Sequence, residues 1–248
     1  MCGRYASSRS AEDLVEEFDV LDPRIGEALP PSYNVAPTDR VYAVLERHDA
    51  RQLRELRWGL VPSWAKDASI GSRMINARLE TAAEKPAFRK AYAARRCLLP
   101  ADGYYEWYDT ELRTKAGKPV KQPFFITPAD GSVLAMAGLY EIWRDRSRPE
   151  DDPEAFRWTC TVLTTEASDD LGRIHDRMPL AVPRDRRGAW LSPATSADHL
   201  DELVVPAQRS GLTAFPVSSA VGNVRNNDPG LVEPLPAERP EPVQETLL

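Results

Sequence analysis

Six short apolar segments, at 41–45, 54–61, 96–100, 123–126, 133–140 and 158–164, are set apart by polar or proline-bearing stretches. Each is too short for a stable helix of its own and rich in aliphatic and aromatic side chains, so each reads as a strand. Segments 41–45 and 54–61 are spaced to pair as a hairpin across the polar stretch 47–52. Helical signals are brief by comparison. Ser10 stands three residues before Asp13, a capping arrangement, ahead of a Leu14, Val15 and Phe18 stripe. A second helix is expected over 82–95 with Phe88 and Tyr92 on one face, and short ones over 183–191 and 197–204. The stretch 30–38, with three prolines, reads as an ordered loop or edge segment, and 215–218 as a last strand.

With 248 residues the chain forms one large domain or two small ones, and either can bury a core. No apolar run approaches a membrane span, and the polar, acidic start is not that of a secretory signal. Three cysteines, Cys2, Cys97 and Cys160, make no disulfide framework and point to a reducing compartment; the expectation is a cytoplasmic protein. Cys97 and Cys160 lie in apolar strands as inert core residues. The three histidines are scattered and no paired-cysteine spacing occurs, so neither a metal nor any other cofactor is expected. The final twenty residues are rich in proline and glutamate and are expected to be disordered.

Net charge is −6, but residues 51–100 carry eleven Lys and Arg against four Asp and Glu. A basic segment inside an acidic chain suggests one confined anionic partner, although a solvated charged face is an equal alternative. Trp64, beside prolines in that segment, suits either a platform for stacking bases or a core residue under a loop.

Chemistry concentrates at the start of the chain. If Met1 is removed, Cys2 carries a free α-amine and a thiol on adjacent carbons. The amine has an ordinary pKa of about 7.7–8 and is partly unprotonated at neutral pH. Such a 1,2-aminothiol condenses with an aldehyde through nitrogen and closes a thiazolidine ring through sulfur. Glu106 lies among Tyr104, Tyr105, Trp107 and Tyr108. Desolvation there would raise its pKa and suit it to proton transfer, unless it is an exposed strand residue between inward aromatics. Asn76, Arg78 and Glu80 alternate with apolar residues as a strand over 75–81 would, and His175 sits with Asp176 and Arg177.

Seven ordered segments, 1–5, 33–37, 57–64, 75–81, 102–107, 174–179 and 221–224, resemble the SRAP family (SOS response-associated peptidase), whose members shield abasic sites in DNA. The resemblance runs from residue 2 to about 228, leaving out the charged loop near 144–152 and the tail after 228. It implies a single α+β domain, mainly β, with a barrel-like core around a cleft for single-stranded DNA. It also implies that Cys2 joins the abasic-site aldehyde in a thiazolidine. Asn76 would orient the N-terminus and sugar, Glu106 would transfer protons, and His175 would be a second proton donor linked to reversal. Arg4, Arg78 and Arg177 would contact phosphates, and Trp64 and Pro37 bases; Asn34 and Trp58 belong to the same expected DNA-binding set. The implied partner is single-stranded DNA containing abasic sites, met by a monomer that associates with the nucleoid when bound. Ala65 stands where some relatives have a second aromatic, which removes one stacking contact. The competing reading is a peptidase with an N-terminal nucleophile, with self-maturation as its narrowest form, and a third is a non-catalytic nucleic-acid binder.

Overall fold

Strands β3 (Arg40–Arg47) and β4 (Ala50–Trp58) pair antiparallel from Arg40 opposite Arg57 to Arg47 opposite Ala50. The turn is only His48 and Asp49, with φ of 54° and 57°, so the strands run further into the polar stretch than its composition suggests. Two positive-φ residues give the turn a twist that matches the strands it joins. This hairpin is the start of a ring. The computed structural model describes residues 2–149, 151–167, 174–207 and 211–236. In chain order its other strands are β1 (Tyr5–Ser7), β2 (Ser32–Val35), β5 (Asn76–Arg78), β6 (Arg96–Ala101), β7 (Gly103–Arg113), β8 (Pro119–Pro128) and β9 (Leu134–Arg144). They are followed by β10 (Phe156–Glu166), β11 (Arg177–Ala181), β12 (Val205–Pro206) and β13 (Leu212–Pro216). The α-helices are α1 (Ala11–Glu17), α2 (Leu79–Ala82), α3 (Arg89–Ala94) and α4 (Arg187–Leu191).

β3 pairs with β6, β6 with β9 and β9 with β10, all antiparallel, and β10 returns parallel to β4. The sheet therefore closes on itself. β10 also carries β5 and β11 beyond the ring. The alternation of side chains along each strand separates two cores. Val41, Ala43 and Leu45 of β3 join Cys97, Leu99, Met136, Cys160 and Val162 in one cluster. Tyr42 and Val44 join Leu98, Ala137 and Leu139 in the other, together with Leu14 and Phe18 near α1, Tyr92 of α3 and Trp190 of α4. The helix-bearing cluster is thus the outside of the ring, and the first is its filling. The architecture is α+β, mainly β, with a barrel-like core, as the sequence leads one to expect.

A second sheet, in the order β13-β8-β7-β1-β2, contributes Tyr5, Tyr104 and Ile126 to the filling cluster. Its other face packs Ala6, Tyr105 and Phe125 under Val217, Val221 and Leu231.

Three expectations need correction. The helix expected over 82–95 forms only from Arg89 to Ala94, as α3, because Pro86 lacks the N–H and clashes with the preceding turn, where α2 ends at Ala82; Phe88 and Tyr92 nonetheless share a buried face. Segment 75–81 remains a strand only to Arg78, where α2 takes over. The tail is not disordered from 229. Asp228 caps a 3-10 turn at Pro229–Val232, and Leu231 is buried against Val217 and Val221, so the fold continues to 236. Residues 237–248 lie outside the described residues.

Arg96 opens a wholly buried strand yet is a cation. Its guanidinium donates to the carbonyls of Tyr92 (3.0 Å), Ala93 (2.6 Å), Trp190 (2.7 Å) and Ser192, so it satisfies the ends of both α3 and α4. A buried charge is tolerable when each nitrogen is used in this way.

Candidate active site

The N-terminal segment is fixed by backbone pairing before any side chain acts. Tyr5 lies opposite Val35 on one side and Tyr104 on the other, making β1 an inner strand of the second sheet. Asp102 accepts from the Ser8 N–H (2.6 Å) and faces Arg9 at 3.5 Å, pinning the exit of the strand. Cys2, just upstream, is thereby inserted into the barrel filling and is fully buried. Asn76 Nδ2 donates to the Cys2 carbonyl at 2.8 Å. Asn76 in turn is held by β5, which runs parallel to β10 with Asn76 opposite Val162. Its Oδ1 is buried and accepts no hydrogen bond among the described residues. A buried carbonyl left in this way costs about 1–3 kcal/mol unless a donor arrives, and an amine or a sugar hydroxyl would supply one.

Glu106 projects from β7 opposite Phe124 and is 4% exposed. Burial pushes its carboxyl up to about 7. The expectation of a desolvated glutamate is met, and the group is poised both to give and to take a proton near neutrality. Burial, and secondly the Glu106 carboxylate, push the Cys2 thiol above its usual range. It is a thiol, not a thiolate, at neutral pH. A cavity of about 370 Å³ is lined by Glu106, Trp107, Lys121, His175 and Gly222.

His175 is held below the ordinary histidine value, first by burial, and is neutral at pH 7. Two groups compete for its Nδ1: the Arg177 backbone N–H donates to it at 3.0 Å, and the Asp176 carboxylate stands 2.8 Å away. The backbone contact needs a lone pair there and leaves the proton on Nε2, whereas Asp176 favours a proton on Nδ1. Asp176 is largely exposed and its pull is weakened by water, so the backbone contact decides the neutral tautomer.

The site thus brings together Cys2 with Asn76, and Glu106 with His175. The remaining expected residues separate into two groups. Arg78 and Trp64 are exposed and Pro37 half-buried. Arg4 lies 5.9 Å from the Trp107 ring, and its Nη1 donates to Asn34 Oδ1 (2.8 Å) and the Val221 carbonyl (2.9 Å). Asn34, Trp58 and Arg177 are buried and already employed. The Asn34 amide donates to the carbonyls of Asn223 (3.0 Å) and Asn226 (2.8 Å), clamping the closing loop. The Trp58 indole donates to the Ile75 carbonyl (2.9 Å) and meets Tyr5 edge to face at 5.1 Å. Arg177 forms a two-pronged pair with Glu80 (3.0 and 3.1 Å) and donates to the Thr164 carbonyl (2.8 Å). All three are thus committed to contacts within the protein, behind the site. Sequence reasoning missed Lys121 and the lining role of Trp107. Lys121 stands opposite Asp109 in the β7–β8 hairpin and pairs with it at 3.0 Å, and only that register places it beside His175.

The profile of the family described as SOS response associated peptidase (SRAP) matches residues 1–224. The chain belongs to the SRAP family. Among similar SRAP proteins, abasic site processing protein YoqW of Bacillus subtilis is 40% identical over 239 residues, covering 94% of this chain and 99% of that one. Abasic site processing protein YedK of Escherichia coli is 34% identical over 243 residues, covering 95% and 100% respectively. A crystal structure of a protein from Bacteroides thetaiotaomicron superposes with a TM-score of 0.78 over 94% of this chain and all of that one, at 23% identity, and shares the SRAP fold.

Proposed function

We propose that this protein processes abasic sites by capturing them covalently in single-stranded DNA through Cys2. The observation that carries the reading is the union of a buried Cys2, its carbonyl held by Asn76, with a glutamate raised to about 7 beside a cavity that reaches His175. The named relatives, abasic site processing proteins, support it.

Removal of Met1 frees the Cys2 amine; while Met1 remains, that nitrogen is an amide and cannot react. The free amine adds to the open-chain aldehyde of the abasic sugar. Glu106, in its acid form, protonates the carbinolamine hydroxyl, water leaves and a protonated imine forms, with Glu106 left as the carboxylate. The Cys2 thiol then adds to the imine carbon; its proton passes to the Glu106 carboxylate and the nitrogen becomes a neutral ring amine. One aldehyde and one aminothiol yield one thiazolidine and one water. A protonated thiol suits this order, since nitrogen attacks first and sulfur only closes the ring. The same protonated thiol disfavours a peptidase, which needs a thiolate for amide attack. Asn76 orients the N-terminus, and His175, neutral with its donor on Nε2, is the second proton donor. Arg4, Arg78, Pro37 and Trp64 contact the strand.

The test is a denaturing gel of protein shown by mass to begin at Cys2, incubated with single-stranded DNA holding one abasic site. A heat-stable shifted band is expected, absent with a tetrahydrofuran analogue and absent for Cys2→Ala. No band from the processed protein refutes the reading.

A further inference from the structure

The filling of the ring ends in charge at the mouth away from Cys2. Along β4, Arg54, Leu56 and Trp58 alternate onto one face, and Leu56 and Trp58 belong to the filling cluster. Along β10, Trp158, Cys160 and Val162 do the same, with Trp158 half-buried against that cluster. Val162 is the register partner of Asn76, so Trp158 stands four residues, or about 13 Å, from the reacting centre along the strand. Arg47 closes the same end of β3, two residues beyond Leu45 of the filling.

Trp158 gathers this group. Its ring stacks on Tyr140, with centroids 5.8 Å and planes 14° apart. The Arg54 guanidinium lies 4.3 Å from the ring centre and that of Arg47 5.2 Å. Neighbouring arginines are matched: Arg24 pairs with Asp22 at 2.8 Å and Arg95 with Glu141 at 2.7 Å. Arg47 and Arg54 are not. Among the described residues neither forms an ion pair, and each spends only its Nε in a hydrogen bond, Arg47 to His48 Nε2 (3.2 Å) and Arg54 to Gln52 Oε1 (2.8 Å). Burial, then Arg47 and Arg24, hold the Arg54 guanidinium below its ordinary value. Two cations thus share one indole with no anion between them.

We propose that this mouth docks an acidic segment of a partner protein, with carboxylates on the free Nη groups of Arg47 and Arg54. A guanidinium fork matches a carboxylate in geometry as well as charge. The indole is already engaged by Tyr140 and two guanidinia, so a base would have to displace one of them to stack, which favours a peptide over a nucleic-acid strand. Apolar side chains border the cations. Leu21, 80% exposed, stands three residues before Arg24, and Phe156, 43% exposed, two residues before Trp158 on the same strand face. A segment in which Asp or Glu alternates with apolar residues fits both features. The surface requires no abasic-site chemistry and is separate from Cys2.

The test uses the full chain and a fluorescein-labelled peptide of repeated Asp-Leu-Glu triplets, with a control peptide carrying Asn and Gln in place of the acids. Binding is read by fluorescence anisotropy across a salt series. The acidic peptide should bind, more weakly as salt rises, and the control should not. Arg47→Gln/Arg54→Gln should weaken binding by about tenfold, the loss of two partly exposed charge pairs. Removing Arg54 from the Trp158 ring also loosens the barrel mouth, so Arg47→Glu, with Arg54 intact, is the second variant; it should weaken binding at least as much, and thermal melts check both folds. No binding of the acidic peptide by the parent protein, or equal binding by the parent and the folded variants, would overturn the proposal. Single-stranded DNA without an abasic site that displaces the peptide, and that loses affinity in the same variants, would make the patch a strand contact and overturn it too. Crosslinking through Cys2 should be the same in parent and variants. If it fails in all of them while peptide binding behaves as expected, this surface stands and the abasic-site chemistry falls.

Discussion

Glu106→Gln separates what the carboxyl costs the fold from what it gives the reaction. Its ordinary value is 4.5 and burial raises it to about 7. That displacement corresponds to about 3 kcal/mol at 1.36 kcal/mol per pH unit. The folded state holds the proton more tightly than the unfolded state. Stability is therefore intact below about pH 4.5, declines as pH rises toward 7, and carries the full penalty above 7. Glutamine is close to the same shape and cannot ionise, so the variant escapes the decline. Urea denaturation of both proteins at pH 5 and pH 8 should show the variant gaining about 2–3 kcal/mol relative to the parent across that interval. Crosslinking should move the other way, slowing by roughly 10²–10⁴-fold if the group transfers protons. The parent rate should be bell-shaped, peaking near pH 7.5, because it requires an unprotonated amine of pKa about 8 and a protonated Glu106. The variant should lose the alkaline fall and rise to a plateau. Stability differences that run parallel from pH 5 to pH 8 would refute the argument, because a desolvated carboxyl must produce the divergence.

Cys2→Ser should still form an imine that borohydride traps, but no heat-stable adduct; a durable adduct from it would eliminate ring closure through sulfur. Asn76→Ala should slow crosslinking by tenfold or more while costing only about 1–3 kcal/mol of stability, the loss of one buried hydrogen bond, measured by denaturant melts. His175→Gln should slow release of the DNA from a preformed crosslink, followed by exchange onto a competing strand; an unchanged release rate removes its role in reversal. Gly59→Ala should destabilise the fold by about 1–3 kcal/mol, since its positive φ and the Gly71 carbonyl at 2.6 Å leave no room for a methyl, and an unchanged melting temperature would refute this.

The ring strands were legible because their apolar runs are short and their flanks polar, and β3, β6, β9 and β10 all lie where those runs fall. Closure was not, because it depends on β10 meeting β4 in parallel, a pairing no local pattern encodes. The two-residue turn at His48 and Asp49 escaped detection because it lacks the glycine that normally marks positive φ. Cys2, Asn76, Glu106 and His175 carry chemistry in their own side chains, and their motifs pointed to them. Lys121 needed the hairpin register, which sets it opposite Asp109. Arg177 illustrates what a motif leaves out: its two-pronged pair with Glu80 joins residues 97 positions apart and is visible only in the fold.

Trp58 gives that distinction a sharper test. Its indole ring is fully buried against Tyr5, and its N–H holds the Ile75 carbonyl one residue before Asn76. Trp58→Phe keeps an aromatic face for Tyr5 but removes the hydrogen bond and part of the buried ring. The Ile75 carbonyl keeps its second donor, the Val162 N–H at 3.1 Å, so the stability cost should be about 1–3 kcal/mol, most of it from the smaller ring. The effect on reaction should be larger, because a displacement of about 1 Å in a positioning group can cost 10²-fold in rate. If Trp58 acts only through Asn76, noncovalent affinity for single-stranded DNA and its salt slope should stay as in the parent while the crosslinking rate falls. If affinity falls as steeply as rate, Trp58 touches the strand and its place behind the site is wrong. The two outcomes separate because a residue that orients the nucleophile acts after binding, whereas a residue that stacks on a base acts in binding itself.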